Sequence, residues 1–306
     1  MFMIAPIISV IIPTRNRELL LQSLVERLTS QTTLPNEIII VDSSDKPKTA
    51  YLKMNSQIDY KYIHTKIKSA AIQRNIGLKN LNLNSNFVFF LDDDVVPEPG
   101  YISNLMKHLN NKANVGVSGI AVNPNLKELR TYPYGLIGIF QKIFYLDSNH
   151  DGKLLKSGIN IPLRDLAQNP INVEWLIGCS AWRREYIGDT SFEVDFYGQS
   201  LAEDVIFSYL MSAKGNLLVD PSIVLSHLES EIGRPNEIDF WSMWMTNRWR
   251  LIKIDAGENL SRVLFWWATI GQLIILFYGI FENRQKSFSS IKGIIIGSFR
   301  IIFGSK

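Results

Sequence analysis

The residues best suited to chemistry are three consecutive carboxylates, Asp92-Asp93-Asp94, which follow the apolar run Phe87-Val88-Phe89-Phe90-Leu91 and precede Val95-Val96-Pro97. A run of β-branched and aromatic residues reads as a strand buried on both faces. Three adjacent acids repel one another, so a cation is expected to offset them. In an open α/β sheet, ligands bind beyond the carboxyl ends of the strands, where these aspartates would project. Carboxylates on such a turn suit a hard divalent cation, Mg2+ or Mn2+, shared with the phosphates of a substrate. Asp92 and Asp94 are spaced so that both can reach a metal and the ribose or phosphates around it. A solvated acidic turn is the plainer alternative, and the buried strand before the triplet weighs against it.

Further polar residues fall at comparable places. Asp42 ends the run Glu37-Ile38-Ile39-Ile40-Val41, Thr14 and Arg15 follow Ile7 to Pro13, and Arg74 lies in Gln73-Arg74-Asn75. Each alone also serves as a turn or capping residue. Sharing one edge of a parallel sheet, they read better as a single nucleotide pocket. Neither G-x-x-x-x-G-K-[ST] nor G-x-G-x-x-G is present, so metal neutralisation is expected to replace a backbone phosphate cradle. Later in the chain, Glu203-Asp204 opens a helix, where acids also simply favour the helix dipole. His227 ends an apolar strand, either as a structural histidine or facing a diphosphate or metal.

The elements that must hold these residues alternate. Strands are expected at 7–12, 37–41, 58–63, 87–91 and 115–122, with helices at 18–31, about 46–54, 69–81 and 101–109 between them. That alternation implies a parallel, doubly wound α/β sheet. From about Asn123 to Asn172 the pattern lapses into an excursion rich in Asn, Pro and Gly. Order returns with a buried strand over Val173 to Trp182, a helix over Leu201 to Lys214, and two short strands, 217–220 and 223–228.

Composition bounds the rest. The chain has 306 residues, 46% hydrophobic and 20% charged, which excludes a disordered protein and allows one large domain with an appendage. A formal charge of +3 gives no argument for nucleic acid. The single cysteine, Cys179, precludes an intramolecular disulfide and fits a reducing compartment. The apolar N-terminus has no basic leader and runs into Pro13-Thr14-Arg15, so it reads as a strand and not a signal peptide, leaving the catalytic part in the cytoplasm. The expected division is a catalytic domain at 1–232 and a helical, membrane-associated region at 233–306. Five of seven tryptophans lie in that tail, and Val263 to Phe281 carries no charge. The stretch is short for a membrane span, which needs about 20 apolar residues, and basic clusters flank both ends. An interfacial or re-entrant helix, or a hairpin with 291–303, keeps both clusters on one side and suits anionic lipid.

Four blocks, Val10-Ile11-Ile12-Pro13-Thr14-Arg15-Asn16, Ile39-Ile40-Val41-Asp42, Arg74-Asn75-Ile76-Gly77 and Phe90-Leu91-Asp92-Asp93-Asp94, with the later Glu203-Asp204 pair, resemble the inverting glycosyltransferases of family 2. The resemblance covers about three quarters of the chain. It implies the GT-A nucleotide-diphospho-sugar transferase fold, Rossmann-like and mostly parallel. It also implies that Thr14 and Asp42 hold the base, Arg74 lies near the nucleotide, Asp92 and Asp94 serve ribose and metal, and Asp204 is the catalytic base. Arg15 and Asp93 join the donor candidates, His227 the metal candidates, and Glu203, Trp175 and Arg234 those for acceptor or diphosphate. Where the family often has Gly-Gly-Phe-Asp, this chain has Gly188-Asp189-Thr190-Ser191-Phe192-Glu193, and Met245 replaces the glutamine of the processive Q-x-x-R-W motif.

The expected activity is therefore metal-dependent transfer of one hexosyl or deoxyhexosyl unit from a nucleotide-diphospho-sugar to a lipid-linked saccharide, for bacterial surface polysaccharide. The enzyme is expected on the cytoplasmic face of the inner membrane, peripheral or shallowly inserted. Two competitors are a sugar-phosphate nucleotidyltransferase, which would show a Gly-rich loop after the first strand, and a non-enzymatic membrane scaffold, which need not keep every acid.

Overall fold

The computed structural model describes residues 6–47, 55–123, 135–164, 169–194, 201–228, 235–255, 257–281 and 283–304. In chain order the elements are β1 (Ile8–Thr14), α1 (Glu18–Thr29), β2 (Glu37–Asp42), β3 (Asp59–His64), α2 (Ala70–Lys79), β4 (Phe87–Phe90), β5 (Val95–Pro97), α3 (Tyr101–Leu109), β6 (Asn114–Val122), α4 (Gly135–Ile143), β7 (Ile171–Val173), β8 (Ser180–Arg183), α5 (Arg184–Ile187), α6 (Glu203–Ser212), β9 (Asn216–His227), α7 (Glu237–Ile254), α8 (Arg262–Tyr278) and α9 (Arg284–Phe303). They form two compact units, Met1–Glu128 with Leu166–Gly233, and Leu129–Asp165 with Arg234–Lys306. One boundary of the two units falls after Gly233. The stretch 129–165, expected within the catalytic part, groups instead with the C-terminal helices. A reason is visible below: the end of α4 packs on α8.

The first unit is built on a sheet of order β3-β2-β1-β4-β8-β6-β9-β5, with β7 beside β9. β1, β2, β3 and β4 pair in parallel, as do β6 and β9. β8, lying between β4 and β6, and the short strands β5 and β7 run antiparallel. The sheet is thus mostly parallel, as expected. Every residue of β1, β2 and β4 is buried, which follows from apolar runs covered on both faces. Helix α1 buries Leu21, Leu24, Val25 and Leu28, one stripe at helical spacing. Helix α2 is capped by Ser69, whose Oγ accepts from the Ile72 amide. A methyl group at Gly77 would lie 2.4 Å from Ile11 Cγ2, so glycine there lets α2 seat against β1.

Three expectations are corrected. The strand expected over 173–182 is two, β7 and β8, because residues 174–179 leave the ladder; the Leu176 amide donates to Ser208 Oγ at 2.9 Å. The two strands expected at 217–228 are one, β9, in which an irregularity opposite Gly119 absorbs Asp220 to Ile223, a place where Pro221 costs no ladder bond. The excursion contains a helix, α4. The helix expected near 46–54 falls mostly outside the described residues.

In the second unit, Asn236, Ser261 and Asn283 cap α7, α8 and α9, each accepting from a backbone amide three residues on. Gly293 and Gly297 let α9 approach α7 closely, since methyl groups there would lie 2.5 Å from Ile238 O and 2.6 Å from Met245 Cβ. Arg248 is buried between the rings of Trp244 (3.9 Å) and Phe265 (4.3 Å) and donates to Thr269 Oγ1 at 2.7 Å. Burial among apolar groups pushes its pKa down to about 9. It supports the helices and is not a surface cation.

Candidate active site

The site lies where the parallel strands end. β1 and β2 stop in register, Thr14 opposite Asp42. β4 runs on past Leu91 into the acid triplet, and the three carboxylates then take different partners. Asp93 accepts from Thr14 Oγ1 at 2.7 Å and from Arg17 Nη1 at 2.8 Å. The same nitrogen lies 3.2 Å from Asp94 Oδ2. The other oxygen of Asp94 is 3.1 Å from His227 Nε2, because β5 and β9 pair Val95 with His227 and the Leu228 amide bonds the Asp94 carbonyl. Asp92 takes Arg74 Nη2 at 2.6 Å. The mutual repulsion expected of the triplet is thus divided between two arginines and a histidine.

Helix α2 supplies the floor of this arrangement. Gln73 Nε2 donates to the carbonyls of Thr14 (2.8 Å) and Val41 (2.6 Å), tying together the ends of β1 and β2. Arg74 is buried and bridges Asp92 to Glu203, the first residue of α6. Its guanidinium lies 5.4 Å from the ring centre of Phe192. Asn75 clamps the backbone of Phe192 in both directions, at 2.7 and 2.8 Å. Gly178 leaves room for the ion pair, since a methyl group there would lie 3.0 Å from Arg74 Nη2 and 3.5 Å from Asp92 Oδ2. The backbone entering α6 turns through a left-handed conformation at Ala202, φ +67°.

Charge is unevenly matched here. Asp92, Glu203 and Asp204 all act on the one guanidinium of Arg74. Burial pushes the Glu203 carboxyl up to about 8, with Asp204 adding to the rise and Arg74 opposing it. Burial likewise raises Asp204, against Arg74. Burial works against the charge of Arg74 too, but Asp92 and Glu203 outweigh it and hold the pKa above its usual value. Asp93 is pushed up to about 6 by burial despite Arg17 and Thr14. A carboxylic acid raised in this way is a stronger proton acceptor than an ordinary aspartate.

Most of the residues picked from the sequence therefore meet at one edge: Thr14, Asp42, Arg74, Asp92, Asp93, Asp94, Glu203, Asp204 and His227 all belong to the first unit. Their openness differs. The side chains of Asp93 and Asp94 are 4% and 6% exposed, whereas Asp92 and His227 are 35% and 34%, so the last two are the open ones. Asp42 is buried, its oxygens bonded to Tyr62 OH at 2.5 Å and the Ser44 amide at 2.7 Å. Arg15 stands apart, half-exposed and 4.0 Å from Asp45. Trp175 is half-buried on the segment between β7 and β8. Arg234 lies outside the described residues. Arg17 and Gln73 were not singled out from the sequence; a cation within the loop after β1 and an amide beside Arg74 were the available signals.

Among the described residues no three His, Cys, Asp or Glu side chains come together as a complete metal cage. Asp94 with His227 offers a carboxylate and an imidazole on one edge. That donor pair fits Mn2+ or Mg2+ only if phosphate and water oxygens complete the shell, the usual arrangement for a nucleotide-bound ion.

The sheet and the edge it presents have the GT-A fold. S. aureus TarS 1-349 superposes with a TM-score of 0.57 at 15% identity, over 95% of this chain and 80% of that one. The mannosyltransferase PcManGT from Pyrobaculum calidifontis, in complex with GDP-Man and Mn2+, gives 0.59 at 13%, over 98% and 88%. Such identities establish the fold alone. Residues 9–173 match the family described as glycosyl transferase family 2, and the chain belongs to that family. A Campylobacter jejuni relative, GalNAc(5)-diNAcBac-PP-undecaprenol beta-1,3-glucosyltransferase, is 28% identical over 63% of this chain. The match spans 57% of that relative's length. Membership of that family weighs against the nucleotidyltransferase reading. Asp204 and His227 lie beyond the matched segment.

Proposed function

We propose that the protein is an inverting glycosyltransferase that moves one sugar from a nucleotide-diphospho-sugar to a hydroxyl of a lipid-linked saccharide, in bacterial cell-surface polysaccharide synthesis. The observation that carries the reading is the chain of hydrogen bonds from the Arg74 guanidinium to Asp92 and Glu203, with Asp204 next in sequence. It couples the open carboxylate of the donor edge to an acid of raised proton affinity. The Campylobacter relative's name supports the lipid-linked acceptor, and a TarS structure with UDP-GlcNAc supports the donor class.

In this reading Thr14, Asp42 and Arg15 hold the nucleoside, and Asp92 the ribose. Arg17 fixes Asp93 and Asp94 in place. A divalent cation at Asp94 and the diphosphate would supply charge stabilisation to the leaving group. Asp204 accepts the proton of the acceptor hydroxyl as its oxygen bonds to the anomeric carbon, from the face opposite the nucleotide. The bond from that carbon to the diphosphate oxygen breaks, and the nucleoside diphosphate departs with the electron pair. One displacement inverts the configuration. The apolar helix Arg262–Phe281 is, by length and composition, long enough to meet a membrane, which supports a place on the cytoplasmic face of the inner membrane.

The test is nucleoside-diphosphate release and product formation across a panel of nucleotide-sugars. Asp204→Asn is expected to lower transfer by about a hundredfold or more while thermal stabilisation by the donor persists. Unchanged turnover in the purified variant sinks the assignment of the base.

A further inference from the structure

The second unit carries apolar surface that its own packing leaves open. Helix α4 is the extreme case: Leu136, Ile137, Ile139 and Ile143 are each 56–85% exposed, and Gly138 alone is buried. The helix is nevertheless fixed in place. Phe144, just past its end, stacks on Trp267 of α8 with ring centres 4.5 Å apart, and Trp267 Nε1 donates to the Ile143 carbonyl at 2.9 Å. A methyl group at Gly271 would lie 2.5 Å from Phe144, so α8 is shaped to receive it.

Helix α8 has an open stripe of its own. Val263, Trp267, Ile270, Ile274 and Phe277, with Phe281 in the turn just beyond, are exposed at intervals of three or four residues, which places them on one side. The opposite side, with Phe265, Ala268 and Thr269, is buried and receives the Arg248 guanidinium. With one side packed on protein, the helix leaves only the other side to meet lipid, and a contiguous exposed apolar patch of that kind marks a membrane or partner contact. With the turn that follows it, the apolar helical stretch Arg262–Phe281 has 20 residues and reaches about 30 Å, so its packing and not its length argues for the surface.

We propose that α4 and the open stripe of α8 form one lipid-docking face that lies in the headgroup region of an anionic bilayer. Charge complementarity selects that occupant. Neither helix contains an Asp or Glu, while Lys142 and Arg262 stand exposed beside the apolar residues. The inference deepens the membrane location in the proposed function by adding a mid-chain helix to it, and it holds whatever sugar is transferred.

The experiment is co-sedimentation of the full chain with vesicles of phosphatidylcholine, alone or mixed with phosphatidylglycerol, without substrate. Leu136→Glu with Ile139→Glu is expected to lower partition into the mixed vesicles by about tenfold or more. Lys142→Gln is expected to weaken binding to mixed vesicles only. Because the substituted side chains are exposed, an unaltered melting curve verifies the fold. Partition unchanged in the double variant overturns the proposal. So does a wild-type dimer in sedimentation velocity that the double variant splits, since a second copy would then cover the face. Donor turnover, measured separately, reports on the transferase reading and not on docking.

Discussion

Replacing Glu203 by glutamine separates two opposing effects at the centre of the site. If the ion pair with Arg74 dominated, ionised Glu203 would stabilise the fold at high pH. If burial beside Asp204 dominates, ionising Glu203 costs the fold. The structure favours burial, which raises this carboxyl from 4.5 to about 8. Between those values the folded protein holds a proton that the unfolded chain has released, so its contribution is full below pH 4.5 and lost as pH rises through about 8. At about 1.4 kcal/mol per pH unit the loss approaches ~5 kcal/mol, an upper bound because local relaxation softens it. Glutamine keeps the shape and cannot ionise. In urea titrations at pH 5, 6, 7 and 8, E203Q and the parent should differ least at pH 5. The variant should gain on the parent steadily to pH 8. A difference that is flat with pH, or a parent that gains on the variant, refutes the burial argument and makes the Arg74 pair the stronger term.

Two further outcomes follow from the same geometry. Gly178→Ala puts a methyl group 3.0 Å from Arg74 Nη2. With the arginine pinned by Asp92 and Glu203, transfer should fall by about tenfold and stability by about 1 kcal/mol or more; steady-state kinetics with a thermal melt checks both, and wild-type values would show that the pair can shift freely. Chelation by EDTA should remove transfer and Mn2+ or Mg2+ restore it, with Asp94→Asn raising the metal concentration needed; full activity in EDTA would count against the Asp94 and His227 edge.

Much of the first unit was legible in the chain. Apolar runs of four to seven residues ending in Thr14, Asp42 and Asp92 mark strands buried on both faces, and the leucine spacing after Arg17 marks the helix between them. Where local pattern weakened, so did the reading. The segment 174–179 is apolar enough to pass for a strand, yet Gly178 and Ser208 draw it off the ladder. A proline inside β9 looked like a strand end and proved to lie in an irregularity of one strand. Helix α4 was missed because it is only nine residues long, contains Gly135 and Gly138, and follows Pro133, signals that locally read as a loop.

The sequence by itself determined which residues stand at strand ends, since that depends on short-range hydrophobic pattern, and so it named the donor-edge acids and the pair opening α6. Only the tertiary structure decided their partners. Arg74 and Glu203 are 129 residues apart, and Asp94 and His227 are 133 apart. No local rule couples such positions; strand register and the seating of α2 against β1 do. The acid triplet, one feature in the sequence, thereby becomes three side chains with different partners, because successive residues on a turn point in different directions and meet different neighbours.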